Sequence, residues 1–256
     1  MDTRQICRLL EWDSDFFGFR IGRLEARHLT AGVVKAAQAW CIAEDVRCLY
    51  FLADGDDRES ARQARLGGFR PVDERMTFER HTTAESSPRA AAGVAIRAAR
   101  DSDIALLCTI AREAHRDTRF HHDPGFDPTT ADALYTTWIA NSCRGFADTV
   151  LVPEIDGVPV GYITCHKDGR QGQIGLLAIA PEARARGIGA RLVATSMDWF
   201  REHNVEHVSV VTQGRNALAQ RLYERNGFKR GQVENWYHGW FNKSTKPQPP
   251  EVQVTA

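Results

Sequence analysis

The sequence predicts an α/β protein of the α+β type, with a mixed, mostly antiparallel central sheet flanked by helices and a smaller lobe ahead of it. Three observations carry this. Two apolar runs, Thr149–Ile155 and Val158–His166, flank Asp156-Gly157, a hairpin signal that makes them antiparallel neighbours. Strand Gln173–Ala180, helix Gly187–His203 and strand Val208–Thr212 form a β-α-β crossover, which permits parallel pairing. The stretch His81–Gly93, HTTAESSPRAAAG, is small and polar and reads as a linker. The expected division is therefore a lobe over 1–80, a linker over 81–93, a larger lobe over 94–242 and a disordered tail over 243–256, where KSTKPQPPEVQVTA has no large apolar anchor.

In the first lobe, Trp12–Leu24 reads as loop and strand. Ala31–Ala43 reads as a helix, with Val33, Val34, Ala37 and Trp40 on one side. Cys48–Ala53 is continuously apolar, as a buried strand is. Glu59–Leu66 is a helix stopped by Gly67-Gly68, and Arg75–Arg80 a last strand. In the second lobe, strand Val94–Ala98 precedes a helix capped by Asp101–Asp103 and running to about His115. A loop spans Asp117–Pro128, and a helix runs from about Thr130 to Ser142. After the β-α-β unit come helix Asn216–Arg225, stopped by Asn226-Gly227, and a strand within Gly231–Phe241.

A faint repeat links the lobes. CLYFLADGDDRESARQARLGGF and HVSVVTQGRNALAQRLYERNGF share the layout strand, short loop, helix, Gly, Phe. Setting Gly68-Phe69 on Gly227-Phe228 places Asp57 on Asn216 and Ala64 on Tyr223. The first lobe then reads as a partial copy that lacks the polar groups of the second.

Composition bounds the function classes. Lys+Arg and Asp+Glu balance at 33 each, which gives no electrostatic reason to expect a nucleic acid or an anionic membrane as partner. The six cysteines form no C-x-x-C pair, and scattered reduced thiols fit a cytoplasmic protein. The N-terminus lacks the basic-then-apolar order of a signal peptide, and no apolar run approaches the length of a membrane span.

The strongest motif is LLAIAPEARARGIGA, Leu176–Ala190. A strand ends at Pro181, a short loop carries Arg184, Gly187 and Gly189, and a long amphipathic helix begins. Bare glycines let a bulky anion approach the unpaired N–H groups of a helix N-terminus, with Arg184 and Arg186 at the rim. A dinucleotide fingerprint needs a third glycine, and a P-loop needs Gly-Lys-Ser/Thr; neither is present. The second motif is Asn216 with Tyr223, seven residues apart and so on one helix face. The bland reading is an N-cap and a core tyrosine. A third cluster, Arg119, Phe120, His121, His122 and Asp123, is unusual for a solvated loop. A metal reading of adjacent His-His-Asp is disfavoured because neighbouring residues rarely converge on one ion.

These motifs resemble the coenzyme-A-binding signature of the GNAT N-acetyltransferase superfamily, with RNALAQRLYERNGF matching its N-x-x-A-x-x-x-Y-x-x-x-G-F pattern. The resemblance implies acetyl-coenzyme A as co-substrate and no metal. It implies binding by Leu177, Ala178, Ile179, Arg184, Ala185, Arg186, Gly187, Ile188, Gly189, Ala190, Asn216 and Tyr223. It also implies a backbone donor near Leu177 for the oxyanion, and Tyr223 as the catalytic proton donor to the departing thiolate. Many members carry an acidic base on this strand; here Gln173-Ile174-Gly175-Leu176 holds no carboxylate. LEWDSDFFGFRIGRL, RFHHDP and ADALYTTWI further resemble the dTDP-fucosamine-type acetyltransferases, implying a nucleotide-linked amino sugar as acceptor, held by residues 119–123. His121 and His122 are candidates for a proton relay. Two other readings stay open: another amine as acceptor, such as an antibiotic, a polyamine or a protein N-terminus, and a coenzyme-A-binding module without catalysis. Sheet-edge pairing into a homodimer is compatible with the sequence but not specified by it.

Overall fold

The computed structural model describes residues 6–82 and 94–241. The expected linker, apart from its first two residues, and the expected tail lie outside them. The chain divides into two compact units, residues 1–72 with 236–256, and residues 73–235. This is not the division expected at 81–93. Strands β4 (Phe69–His81) and β11 (Lys229–Trp240) each give one end to each unit, because both are long enough to run through the boundary.

In the first unit, β1 (Cys7–Leu9) pairs antiparallel with β2 (Ile21–Leu24), and β2 pairs parallel with β3 (Cys48–Asp54). The final residues of β11 follow β3 in the sheet order. Between β1 and β2 the chain forms a helix, α1 (Glu11–Phe17), rather than the expected loop. Trp12 and Phe16, one turn apart, stack at 5.1 Å, and Gly18 ends the helix in the left-handed conformation at φ 73°. Helix α2 (Ala31–Ala43) buries Val34, Ala37, Trp40 and Cys41, a 3–4 spacing that follows from 3.6 residues per turn. Helix α3 (Arg58–Leu66) follows β3, capped by Asp57 accepting from the Ser60 N–H at 2.9 Å.

In the second unit, the sheet order is β4, β10 (His207–Gln213), β9 (Gln171–Ile179), β8 (Gly161–Asp168), β6 (Thr149–Ile155) and β5 (Ala95–Ala98). The pairs β4–β10, β9–β8, β8–β6 and β6–β5 are antiparallel and β9–β10 is parallel, as the crossover permits. The hairpin residues Asp156 and Gly157 both have positive φ, 50° and 78°. The expected strand Val158–His166 breaks after β7 (Val158–Pro159), where proline lacks an N–H for the ladder. Proline also hid the true length of β4, which carries Pro71 and begins six residues before the expected Arg75.

A 3-10 turn at Asp101–Asp103 leads into α4 (Ile104–Ala114), and α6 spans Pro128–Asn141. Asp103 does not cap α4 through its side chain. It turns back to the Arg100 N–H at 2.8 Å and the Arg97 guanidinium at 2.6 Å. The expected loop after α4 contains a one-turn helix, α5 (Arg119–His122). Helix α7 (Ile188–Glu202) puts Leu192, Val193, Met197 and Phe200 into a core shared with Ile163 and Cys165 of β8. Alternation along β8 therefore turns Tyr162 and Thr164 to the opposite face, where His115 meets Tyr162 and stacks on Tyr135. Each such fully buried aliphatic or aromatic side chain contributes about 1.5–3 kcal/mol.

The repeat expected from sequence has structural counterparts. Asn216 caps helix α8 (Ala217–Arg225) by accepting from the Ala219 N–H at 3.1 Å, as Asp57 caps α3. Ala64 and Tyr223 are both buried, and Gly68 and Gly227 have φ of 82° and 79°.

Candidate active site

The candidate site is built on β9, which departs from regular pairing on both sides. Toward β10, the parallel register ends at Val210 opposite Ile174. Strand β10 continues to Gln213 against β4, and β9 continues to Ile179, but no further pair joins them among the described residues. The strands splay and leave a notch between β9 beyond Ile174 and β10 beyond Val210. Toward β8, the register slips: Ile163 faces Leu177 and Cys165 faces Ile174. Thr164 alone therefore opposes two residues, Gly175 and Leu176, which is a β-bulge. The Leu176 N–H, displaced from the ladder, donates to Thr164 Oγ1 at 2.8 Å.

The loop expected to cradle an anion starts where β9 ends. Gly187 caps α7 at φ 76°, a conformation costing most residues about 1–2 kcal/mol. Ala185 adopts φ 59° in the same loop. The first backbone bond into α7 is from Arg191 N–H to Gly187 at 3.1 Å, so the amides of Ile188, Gly189 and Ala190 precede the helical ladder. Ile188 is buried, whereas Arg184, Ala185, Arg186 and Gly187 are exposed. Arg184 is not merely a rim charge: its Nε donates to the Ile179 carbonyl at 3.0 Å, tying the loop to the end of β9. On β9 itself, Leu177 and Ile179 are half-buried and Ala178 is buried. The splayed edge, the bulge and the bare helix start suit a long, thin thioester ending in a diphosphate.

Asn216 and Tyr223 lie on α8. The Asn216 carboxamide oxygen is committed to the cap, as the bland reading had it. The Tyr223 ring is buried, 4% exposed, with Phe78 and Phe228 at centroid distances of 6.0 and 5.8 Å. Burial pushes its pKa well up, so the phenol keeps its proton across the neutral range and can only donate it.

The 119–123 cluster diverges. His121 is engaged at both nitrogens, Nδ1 with Thr118 Oγ1 at 2.8 Å and Nε2 with Asp132 at 2.9 Å. His122 reaches Asp117 at 2.5 Å. Asp123 is buried and accepts from the Gly125 N–H at 3.0 Å. Phe120 packs edge-on against Phe126, and the Arg119 guanidinium lies 4.6 Å from the Phe120 ring. Among the described residues no group of His, Cys, Asp and Glu is arranged to hold a metal ion.

Sequence reasoning missed four groups beside the notch. Thr164 holds the bulge. His166, two residues on, brings Nε2 within 3.5 Å of Thr164 Oγ1. His115 shares a 2.9 Å hydrogen bond with Tyr162, and burial pushes its pKa down to about 4. Arg215, one residue before the α8 cap, pairs with Asp73 at 3.1 Å. The available signal was the run of polar residues alternating within the apolar strand GYITCHKD.

This arrangement defines a domain of one class. Residues 107–228 match the family described as "Acetyltransferase (GNAT) family". The chain is 28% identical over 144 residues to the spore coat polysaccharide biosynthesis protein SpsD of Bacillus subtilis, covering 56% of this chain and 50% of that protein. It is 28% identical over 143 residues to a dTDP-fucosamine acetyltransferase of Escherichia coli, covering 55% of this chain and 61% of that protein. A mycothiol acetyltransferase of Sanguibacter keddieii is 32% identical over 60% of this chain and 50% of its own length. The chain thus spans about half to three-fifths of these relatives. In fold, it resembles a GCN5-related N-acetyltransferase from Sphaerobacter thermophilus, with a TM-score of 0.65 at 15% identity over 91% of this chain and 76% of that one. A tandem GNAT protein of the clavulanic acid pathway, at 14% identity, covers 88% of this chain and 76% of its own with a TM-score of 0.61. No helix among the described residues is long and apolar enough to cross a membrane.

Proposed function

We propose that the protein is an acetyl-coenzyme-A-dependent N-acetyltransferase acting on the amino group of a nucleotide-linked amino sugar of the dTDP-4-amino-4,6-dideoxyhexose type, by direct attack in a ternary complex. The observation that carries the reaction class is the splay of β9 from β10 beyond Ile174 and Val210, directly ahead of the bare start of α7. Acetyl-coenzyme A supplies an activated acyl group as a thioester. The amides of Ile188, Gly189 and Ala190, with Arg186 beside them, hold its diphosphate, and the free edge of Leu177–Ile179 holds its arm. The Leu177 region lends a backbone donor to the carbonyl oxygen, and Tyr223 gives its proton to the sulfur. Arg119 and His122, on the accessible side of α5, contact the acceptor.

The amino-sugar acceptor is supported by the relatives named for dTDP-fucosamine and for spore coat polysaccharide. A second reading, in which the acceptor is a different amine, is favoured by the relatives named mycothiol acetyltransferases. We further read the first unit as a partial GNAT copy without a site of its own, Ala64 standing where Tyr223 stands in the second. The balanced charge gives no electrostatic reason to expect a nucleic acid or an anionic membrane as partner, and six cysteines without a C-x-x-C pair support a cytoplasmic protein.

The test is acetyl-coenzyme-A consumption against dTDP-4-amino-4,6-dideoxygalactose, glucosamine, an amine antibiotic, spermidine and a peptide N-terminus. Turnover of the nucleotide sugar at least tenfold faster than the rest supports the first reading. Preference for another amine supports the second, and tight coenzyme binding with no turnover at all removes catalysis.

A further inference from the structure

We propose that His166 is the proton acceptor for the attacking amine, its Nε2 presented at the bulge of β9. The inference rests on the acetyltransferase reading above and adds the acid–base partner that Gln173–Leu176, with no carboxylate, does not supply.

The geometry converges on Gly175. A Cβ built there would lie 2.7 Å from Thr164 Oγ1 and 2.8 Å from His166 Nε2, so only glycine lets the imidazole edge rest on the bulge. The adjacent residue is Leu176, whose N–H is tied to that same Thr164 oxygen. His166 therefore sits where the chain is already distorted, at the level where β9 and β10 part. Gly175 is exposed and His166 half-buried, so a small amine can reach the ring.

The ring is held for this task. The Phe146 phenyl group meets it edge-on at 5.6 Å, and Nε2 lies 3.5 Å from Thr164 Oγ1. The faces around it are Phe146, Thr164 and Gly175, all uncharged. The charge acting on the ring among the described residues is that of Asp148, which also accepts from the Lys167 N–H at 2.8 Å. Asp148 favours the imidazolium, but desolvation outweighs it and holds the pKa below 6.5. Desolvation thus favours the neutral ring.

The step balances. As the amine nitrogen bonds the acyl carbon and the carbon–sulfur bond breaks, one proton passes from nitrogen to Nε2 and another from the Tyr223 phenol to sulfur. The imidazolium then releases its proton to solvent and the phenolate regains one, which restores the protein.

Two measurements on the full chain decide the matter. In the coenzyme-free protein, nitrogen-15 NMR of the assigned His166 ring should show Nε2 unprotonated at pH 7 and titrating below 6.5. With the panel amine that turns over fastest, and with kcat/KM expressed per unprotonated amine, His166→Gln should lower it at least 30-fold and abolish its fall toward acid pH. Acetyl-coenzyme-A affinity should stay within twofold, and added imidazole should restore part of the rate to His166→Gly. A protonated Nε2 at pH 7, or an acid limb that survives the substitution, overturns the role. If His166→Gln does not fold, the NMR result on the unaltered protein decides. Failure of every amine would overturn the acetyltransferase reading itself, whereas turnover with an unchanged pH profile overturns only His166.

Discussion

The backbone N–H of Leu176 donates to the side-chain oxygen of Thr164 on the neighbouring strand, across 2.8 Å. A strand would ordinarily spend that N–H on a carbonyl; here the bulge removes the carbonyl and a threonine replaces it. Thr164 is completely buried, so the replacement matters energetically. Thr164→Val keeps the shape and deletes the acceptor, and should cost about 1–3 kcal/mol in urea denaturation. Thr164→Ser keeps the oxygen and should recover most of that loss. Equal stability of the valine variant and the parent would mean that the bulge does not depend on this bond.

Tyr223→Phe retains the ring that packs on Phe78 and Phe228 and removes only the hydroxyl. Thermal stability should change by less than about 1 kcal/mol, as for one net hydrogen bond or less. Turnover should fall by about 10²–10⁴-fold, the range for a lost general acid, with acetyl-coenzyme-A affinity preserved in calorimetry. An unchanged kcat would leave Tyr223 as a core residue alone.

The loop before α7 contains two left-handed residues of different chemistry, Gly187 and Ala185. Gly187→Ala should destabilise the protein by about 1–2 kcal/mol, and Ala185→Gly should relieve strain of similar size. Gly189→Glu should instead weaken acetyl-coenzyme-A binding more than tenfold, since it places a carboxylate among the amides proposed to meet a diphosphate. Titration calorimetry separates these effects from folding.

Asp103 and Arg97 form a shielded pair at 2.6 and 3.0 Å, with Glu154 on the same guanidinium at 2.7 Å. The Arg97 hydrogen bond holds the Asp103 carboxyl below its ordinary pKa. The unfolded carboxyl takes up a proton first as pH falls. The contribution is therefore complete above the unfolded pKa of about 4 and is lost as pH drops through the lower folded value. Asp103→Asn should cost about 1–3 kcal/mol at pH 7, because it removes the charged acceptor of two Arg97 hydrogen bonds while Glu154 still pairs the guanidinium, and less near pH 2. A cost that does not shrink in acid would assign the effect to the turn at 101–103 instead.

Much of the fold was legible because period and punctuation are local. The helix over Ala31–Ala43 and the strand over Thr149–Ile155 have the expected bounds, and Asp156-Gly157 turns as the pair dictates. Helix α1 was missed because its aromatics suit a strand equally well, and its one clear stop signal, Gly18, was read as loop. The extent of β4 was missed because Pro71 is a local breaker, while the strand is held by its neighbours. The cluster at 119–123 looked like one site in sequence, yet its side chains turn to Thr118, Asp132, Asp117 and Gly125.

By itself the sequence determined the order strand, helix, strand, helix from β9 to α8, the bare start of α7 and the seven-residue spacing of Asn216 and Tyr223, since all of these follow from chain-local geometry. Tertiary structure alone decided where β9 leaves β10, that Thr164 faces two residues rather than one, and that His166 rests against Gly175. Strand register is a choice between partners distant in the chain, and no local pattern records a slip of one residue between them.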